Sequence, residues 1–178
     1  MKEKMKRLLS ELLKDSKRSD RELAKVLGIS QPTVTRMRNA LIEEGIIREF
    51  TAIPNFTKMG YEIMAVTIAK AKVTLTSDEQ EKAKKLVLEN PQVIFVASAV
   101  GMGRNGVMIS LHKNYTEYSD FMNNLTFKSG SYMEKVDSML ISLDSSAIVK
   151  PLSLANLVKY EIPKEANTNQ RERIRARA

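Results

Sequence analysis

The stretch that decides the fold lies at residues 19–45 and reads SDRELAKVLGISQPTVTRMRNALIEEG. Ser19 stands three residues before Glu22, which is the reciprocal capping pattern that satisfies free amides at the start of a helix. Gly28 ends this short helix, because the left-handed turn that follows a helix suits a residue without a Cβ. The first half of the stretch therefore predicts one short, capped helix.

The second half of the stretch predicts another helix. Ser30 caps it, Pro32 occupies its first turn, where a missing amide proton costs nothing, and Gly45 ends it. Residues 3–14 add an amphipathic helix ahead of both, because apolar side chains recur there at helical spacing. Two helices joined by a tight turn that contains glycine are the outline of a DNA-binding helix-turn-helix.

Residues 46–54 follow this motif and alternate apolar with polar side chains. Such a pattern, bounded by glycine and proline, predicts a small two-stranded ribbon. Beside a helix-turn-helix, the ribbon would be a wing, and Arg48 would be its best phosphate contact.

The last helix of the motif can be divided into two faces at 100° per residue. Its predicted packed side carries Val34, Met37, Leu41 and Ile42. The outward side offers hydroxyl, amide and guanidinium groups, which reach base edges and phosphates when a helix enters the major groove. Arg38 falls inside the apolar arc, so its head should snorkel toward a phosphate or an acidic neighbour. The predicted DNA-contacting residues are Ser19, Ser30, Gln31, Pro32, Thr33, Thr35, Arg36, Arg38, Asn39 and Arg48.

The net charge of +8 is concentrated at the two ends of the chain. Residues 1–60 contain 13 Lys and Arg against 8 Asp and Glu, whereas residues 61–158 contain 10 of each. Residues 159–178 carry a net charge of +3. Basic ends favour a polyanionic partner such as double-stranded DNA, because cationic groups gain affinity by releasing counterions from phosphates. Charge placed for solubility is the alternative interpretation.

Composition excludes several kinds of chemistry. The chain has no cysteine and a single histidine, His112, which argues against disulfides, thiolate metal sites, cysteine nucleophiles and histidine relays. His112 ends an apolar strand and is expected to be structural. No apolar run approaches the length of a membrane helix, so we expect a cytoplasmic protein without a metal, a cofactor or membrane contact.

The rest of the chain predicts a second domain. Its elements follow the order βαββαβ, which is the ferredoxin-like arrangement of one antiparallel sheet covered by two helices. The predicted elements are a strand at 62–73, a helix begun by Ser77 and Gln80, a buried strand at 93–100, a strand at 107–111, a helix begun by Asn114 and Glu117, and a strand at 135–143.

The stretch from Ser19 through Tyr61 contains RELA with LGIS at 21–30, Thr33-Val34 with Arg36, LIEEGII at 41–47, and TAIP with MGY at 51–61. On these motifs it resembles the Lrp/AsnC family of bacterial and archaeal regulators, the feast/famine proteins. The order of elements in the second domain is also that of the family, so the resemblance extends over roughly residues 3–145. Positions 37 and 38 depart from it, since they read Met-Arg where many relatives have a basic residue before an aliphatic one. The expected class is α+β, with a winged helix-turn-helix at 1–60, a ferredoxin-like effector and oligomerisation domain at 61–148, and an extension with a basic tail at 149–178.

Residues 101–106, GMGRNG, satisfy the dinucleotide-binding pattern GxGxxG literally. That pattern needs a helix after it, and here a strand is predicted to follow, so a glycine hairpin is favoured. The resemblance implies that this hairpin lies near a small-molecule effector pocket. The candidate effector-binding residues are Gly101, Gly103, Arg104 and Asn105, and a hairpin without a ligand is the alternative.

The expected function is sequence-specific DNA binding by a transcriptional regulator that is a homodimer or a higher homo-oligomer and is modulated by an effector. An enzyme similar to siroheme decarboxylases, which share the two-domain layout, is an alternative, but such a site needs basic and histidine side chains and this chain has a single histidine. A winged-helix module that binds protein is a further alternative, and it predicts a salt-insensitive complex that forms without DNA.

Overall fold

The computed structural model describes residues 1–72, 76–129 and 133–157. They form two compact units, the first made of Met1–Ile53 with the described residues after Pro151, and the second of Pro54–Pro151. The basic tail predicted beyond residue 158 lies outside the described part. The helices are α1 (Glu3–Lys14), α2 (Asp20–Leu27), α3 (Gln31–Glu43), α4 (Ser77–Leu88) and α5 (Tyr115–Ser129), and the strands are β1 (Ile63–Ala71), β2 (Val93–Gly101), β3 (Arg104–His112) and β4 (Met133–Ser142).

The first unit is built around one apolar core shared by α1, α2 and α3. Leu8, Leu23, Val34 and Leu41 have no exposed surface. Burial of each such side chain contributes about 1.5–3 kcal/mol, so the core holds the three helices together. A short 3-10 turn at Ala155–Leu157 also lies beside α1, which brings the chain back to this unit after the sheet.

The prediction of a two-stranded ribbon at residues 46–54 is wrong, because none of these residues, all of which the structure describes, belongs to a paired strand. Ile47 packs against the core of the first unit, and its amide donates to the Leu41 carbonyl at 2.9 Å. These contacts hold the segment against α3, whereas an isolated pair of strands gains little stability of its own. Residues 46–54, which we call the wing segment, therefore run beside the helices of the first unit without strand pairing.

The second unit is a four-stranded antiparallel sheet in the order β2-β3-β1-β4. Helix α4 connects β1 to β2, and α5 connects β3 to β4, which confirms the predicted βαββαβ arrangement. The capping prediction at Ser77 is off by one residue, because Thr76 and Glu79 form the capping box of α4. The predicted pair of Asn114 and Glu117 is confirmed, since the Glu117 amide donates to Asn114 Oδ1 at 2.9 Å.

One face of the sheet is covered by the helices. Met108 packs there with Phe121 and Leu125 of α5. His112 is fully buried on the same face, donating or accepting a 2.9 Å hydrogen bond with Ser110 Oγ and lying against the Tyr118 and Phe121 rings. Burial lowers the pKa of His112, and the opposing charge of Glu117 does not restore it. His112 is thus a neutral core residue, as the sequence suggested.

The two described helices of the second unit, α4 and α5, pack on the Met108 side, and neither covers the opposite face, which we call the open sheet face. Strand register places its side chains opposite one another across all four strands, as in the pairs Val66 with Ile109 and Val66 with Met139. Its apolar members with partly or fully exposed side chains are Met64, Val66, Ile68, Phe95, Ala97, Val107, Ile109, Met139 and Ile141, and Leu111 at one end of the same face is buried. Phe95 and Met139 are 51% and 69% exposed.

This arrangement overturns the prediction that residues 93–100 form a buried strand. The segment is β2, which lies at the edge of the sheet, and most of its large side chains are exposed. A continuous apolar run indicates a strand with two apolar faces, but it does not say whether anything in the same chain covers them.

Strands β2 and β3 are joined by a two-residue turn, Met102-Gly103. Both residues have positive φ, 54° at Met102 and 66° at Gly103, which is the pattern of a type I′ hairpin. Met102 is the one described residue other than glycine with positive φ, and its side chain is exposed. The turn confirms the predicted glycine hairpin, and with a strand after it the GxGxxG pattern has no helix N-terminus to offer a phosphate.

Replacing Met102 by asparagine should stabilise the fold by about 0.5–1 kcal/mol, because asparagine tolerates the left-handed region far better than methionine does. The free energy of unfolding from urea titrations, at one fixed protein concentration, measures the effect. Met102→Ala is the matched control, since it removes the exposed side chain but keeps the backbone strain. An equal gain in both variants would contradict this explanation.

Candidate nucleic-acid interface

The turn between α2 and α3 is fixed by local hydrogen bonds. The Glu22 amide donates to Ser19 Oγ at 3.3 Å, and the Ser19 amide donates to Glu22 Oε2 at 2.8 Å, which completes the predicted capping box. The hydrogen bonds from Ser19 lower the pKa of Glu22. Gly28 adopts the left-handed conformation at φ 66°, and the Ile29 amide then donates to the Ala24 carbonyl. Ser19 is thus committed to the cap.

Ser30 occupies the N-cap position of α3, but its side chain caps no backbone amide. Its Oγ instead lies 2.8 Å from Thr33 Oγ1, and Pro32 follows in the first turn as predicted. The two hydroxyls therefore form an exposed pair at the beginning of α3.

The outward side of α3 lies where the sequence placed it. Val34 and Leu41 are buried and Met37 packs beside them, whereas Ile42, predicted on the packed side, is 45% exposed. An open hollow of about 810 Å³ runs along the outward side and is lined by Gln31, Pro32, Thr35, Arg36, Asn39, Ala40 and Glu43. The helix thus presents two amides and a guanidinium on one continuous surface.

Arg36 and Arg48 are both exposed, and neither forms an ion pair with another residue in the described part of the chain. Arg36 stands in the middle of the outward side of α3, while Arg48 lies on the segment beside it. Both guanidinium groups are therefore available to an anion.

Arg38 is held differently, and its neighbours were not identified from the sequence. Its Nε and Nη2 atoms lie 2.8 and 2.7 Å from Asp20 Oδ1, and Nη2 also donates to the Arg18 carbonyl at 3.0 Å. The Phe50 ring lies 5.6 Å from the guanidinium carbon. Of the two outcomes expected for Arg38, the structure shows the acidic neighbour, so we remove Arg38 from the set of phosphate contacts.

Asp20 also binds Thr35, whose hydroxyl donates to Asp20 Oδ2 at 2.6 Å. Burial opposes the charge of Asp20, but hydrogen bonds from Thr35 and Arg38 outweigh it and lower the pKa of Asp20. This carboxylate therefore stays ionised at neutral pH and joins the start of α2 to two positions on α3.

The four candidate effector-binding residues all lie on the hairpin between β2 and β3. Arg104 forms an ion pair with Asp137 of β4. The Asn105 side chain pairs with the backbone of Ala71, accepting from its amide at 2.7 Å and donating to its carbonyl at 2.9 Å. Gly101 and Gly103 have no atoms within 4 Å of the place where a Cβ would stand. Two of the four thus already have partners within the sheet.

A second hollow was not identified from the sequence. It has a volume of about 460 Å³ and lies between the loop before β2 and the first turns of α5. Gln92 Oε1 is buried beside it without a hydrogen-bond partner. The hollow is lined by Asn90, Gln92, Asn114, Thr116, Glu117, Asp120, Phe121 and Asn124.

In the described part of the chain, no group of three or more His, Asp or Glu side chains is arranged to hold a metal ion. None of the described helices combines the length and the apolar character that crossing a membrane would require.

Comparison with known proteins agrees with this geometry. Residues 1–48 match the family model described as winged helix-turn-helix DNA-binding. The HTH-type transcriptional regulator FL11 of Pyrococcus furiosus is 33% identical over 118 residues, which cover 66% of this chain and 75% of FL11.

Solved structures share the fold of the whole described region. The AsnC family transcriptional regulator from Agrobacterium tumefaciens superposes with a TM-score of 0.72 at 18% identity, covering 88% of this chain and 99% of that one. LrpC of B. subtilis superposes with a TM-score of 0.68 at 22% identity, covering 86% and 97%. With a helix-turn-helix at its N-terminus and an α+β fold throughout, the chain belongs to the Lrp/AsnC family and is a DNA-binding transcriptional regulator.

Proposed function

We propose that this regulator reads its operator through the outward side of α3, with Gln31, Arg36 and Asn39 as the base-reading residues. The observation that carries the proposal is the exposure of these three side chains on one surface of α3, while Val34 and Leu41 on the opposite side are fully buried. A helix held in this way fits the major groove of B-DNA.

The chemistry of each side chain suggests its partner. The Arg36 guanidinium matches the two acceptors on guanine, whereas the amides of Gln31 and Asn39 match the donor and acceptor on adenine. Pro32 offers an apolar contact to a thymine methyl group. Phosphate contacts fall to Ser30, Thr33 and Arg48 and to the amides near Ser19, because backbone contacts position the protein without reading sequence.

The regulator acts as a homodimer in this proposal, joined through the open sheet face. That face carries nine apolar side chains with exposed surface, no described helix of its own unit covers it, and large exposed apolar patches mark protein interfaces. A twofold axis would bring the same patch of two copies together. Residues 61–148 would thus assemble the protein while residues 1–60 bind DNA.

Dimerisation would also give the specificity that one helix lacks. Two recognition helices related by a twofold axis meet half-sites about 34–36 Å apart, or a multiple of that distance. The operator would accordingly be a pseudo-palindrome. Since the DNA of a prokaryote lies in the cytoplasm, we place the protein there.

A small-molecule effector at the Gly101–Asn105 hairpin completes the proposal. It would bind beside Arg104 and Asn105 or displace their contacts with Asp137 and Ala71. Regulation would follow if the ligand had different affinities for two arrangements of the dimer. We propose no catalytic role, because the relatives are named regulators and His112 is too deeply buried to reach a substrate.

Replacing Arg36 by alanine should weaken operator binding about tenfold to a hundredfold without unfolding the protein, since one bidentate base contact is lost. Fluorescence anisotropy with a selected operator measures the affinity, and circular dichroism checks the fold. Lys84→Ala is the control, because Lys84 is an exposed cation on α4 of the second unit. If both variants bound as tightly as the wild type, α3 would not be the reading helix.

Replacing Met139 by lysine should convert the dimer to monomers, because a charge buried in an apolar interface costs several kcal/mol. Light scattering after size-exclusion chromatography measures the mass. Leu88→Lys is matched to it, as Leu88 is 66% exposed but lies on α4, away from the open sheet face. Retention of the wild-type mass by Met139→Lys would show that the subunits meet elsewhere.

A further inference from the structure

The Asp20 carboxylate stands out because it binds two side chains of the DNA-reading helix at once. Its Oδ2 accepts from Thr35 and its Oδ1 accepts from Arg38, across 15 and 18 residues of sequence. Asp20 and Arg38 lie at the border between α2 and α3, whereas Thr35 stands at the edge of the outward side of α3 that Arg36 and Asn39 occupy.

One edge of the Arg38 guanidinium is already occupied. Nε donates to Asp20 Oδ1, while Nη2 lies 2.7 Å from the same oxygen and donates to the Arg18 carbonyl. Phe50 lies over one face of the group. The side chains of Arg38 and Asp20 are only 18% and 19% exposed, so solvent screens this pair less than a surface ion pair. A phosphate would have to displace Asp20 to reach the edge of Arg38 formed by Nε and Nη2.

Asp20 also lies where a phosphate would otherwise be attractive. It is the first residue of α2, and the free amides and dipole at a helix N-terminus favour negative charge. Arg38 and the Thr35 hydroxyl add a cation and a donor beside it. The carboxylate therefore supplies from within the protein the charge that the DNA backbone would bring.

We propose that Asp20 is a specificity-determining residue whose carboxylate takes the place of a DNA phosphate for Arg38 and Thr35. The proposal rests on DNA reading by α3, as proposed above. By occupying these two groups, Asp20 limits sequence-independent attraction to the backbone and leaves Gln31, Arg36 and Asn39 to choose the operator. Affinity for random DNA is thereby kept low relative to affinity for the operator.

The first test is Asp20→Asn in the full-length protein, which keeps the shape of the side chain and removes its charge. Dissociation constants are measured at several salt concentrations for a selected operator and for a random duplex of equal length. With Arg38 released to a phosphate, we expect random DNA to bind about fivefold to tenfold more tightly. The salt slope, which is the slope of the logarithm of the binding constant against the logarithm of the salt concentration, should become steeper by about 0.9. The ratio of operator to random affinity should fall correspondingly.

Glu3→Gln is the matched control, since it removes one exposed carboxylate from the first turn of α1 in the same unit. A general gain in positive charge would change both variants alike. Equal random-DNA affinities and equal slopes in Asp20→Asn and Glu3→Gln would overturn the proposal, as would a loss of random-DNA affinity in a folded Asp20→Asn.

The second test is Arg38→Met, which keeps an unbranched stem and decides the question even if Asp20→Asn fails to fold. Because Arg38 contacts no phosphate in the wild type, the salt slope should match that of Lys84→Met, the control for one lost cation. A slope shallower than this control by about 0.9 would overturn the proposal. In the double variant Asp20→Asn with Arg38→Met, the gain for random DNA should disappear.

The two proposals fail in different ways. DNA reading by α3 would be overturned if the wild type showed no salt-dependent operator binding, or if Arg36→Ala bound the operator as tightly as the wild type. Wild-type binding that depends on Arg36, together with an unchanged specificity ratio in Asp20→Asn, would overturn only the role of Asp20.

Discussion

The burial of one side of α3 is the constraint on which the rest of the first unit depends. Val34 and Leu41 are completely enclosed by the core that Leu8 and Leu23 complete from α1 and α2. Truncating such a side chain to alanine typically costs about 2–5 kcal/mol, which is a large part of the stability of a small domain. This packing fixes the rotation of α3 about its own axis. Arg36 and Asn39 therefore point outward, in the direction from which α3 would contact DNA.

A second level of control adds to the packing. The caps at Ser19 and Gly28 set where α2 begins and ends, so they determine where Asp20 stands. Asp20 then connects α2 to α3 through Thr35 and Arg38. The hydrophobic core thus orients the reading helix, while this polar contact determines which of its cations and hydroxyls remain available to DNA. The second unit follows a comparable rule, because one side of its sheet is packed against helices and the other is apolar and has no covering helix among the described residues of the unit.

Much of this could be predicted from the sequence because the signals are local. The capping box at Ser19 and Glu22, the glycine after α2 and the proline in α3 each act within a few residues, and all three are confirmed. Hydrophobic periodicity likewise gave the order of elements in the second unit. The outward position of Arg36 and Asn39 followed from helical geometry alone.

The features that were missed depend on distant residues. Nothing in the local sequence says that Arg38 meets Asp20 rather than a phosphate, since the two are 18 residues apart. The exposure of β2 follows from its place at the sheet edge, which the apolar run at 93–100 does not reveal. The wing segment forms no strands because Ile47 packs against the core of the first unit. An alternation of apolar and polar residues in the sequence cannot distinguish that outcome from a two-stranded ribbon.

The absence of cysteine from the sequence makes the central claim directly testable. An Asn39→Cys variant can be labelled at that position alone with an iron chelate that cleaves nearby DNA. If α3 lies in the major groove of a dimer-bound operator, cleavage should fall in two clusters whose centres are about 10 base pairs, or a multiple of that, apart. Operator binding without cleavage from position 39, but with cleavage from a label at Lys84→Cys on α4, would contradict the account.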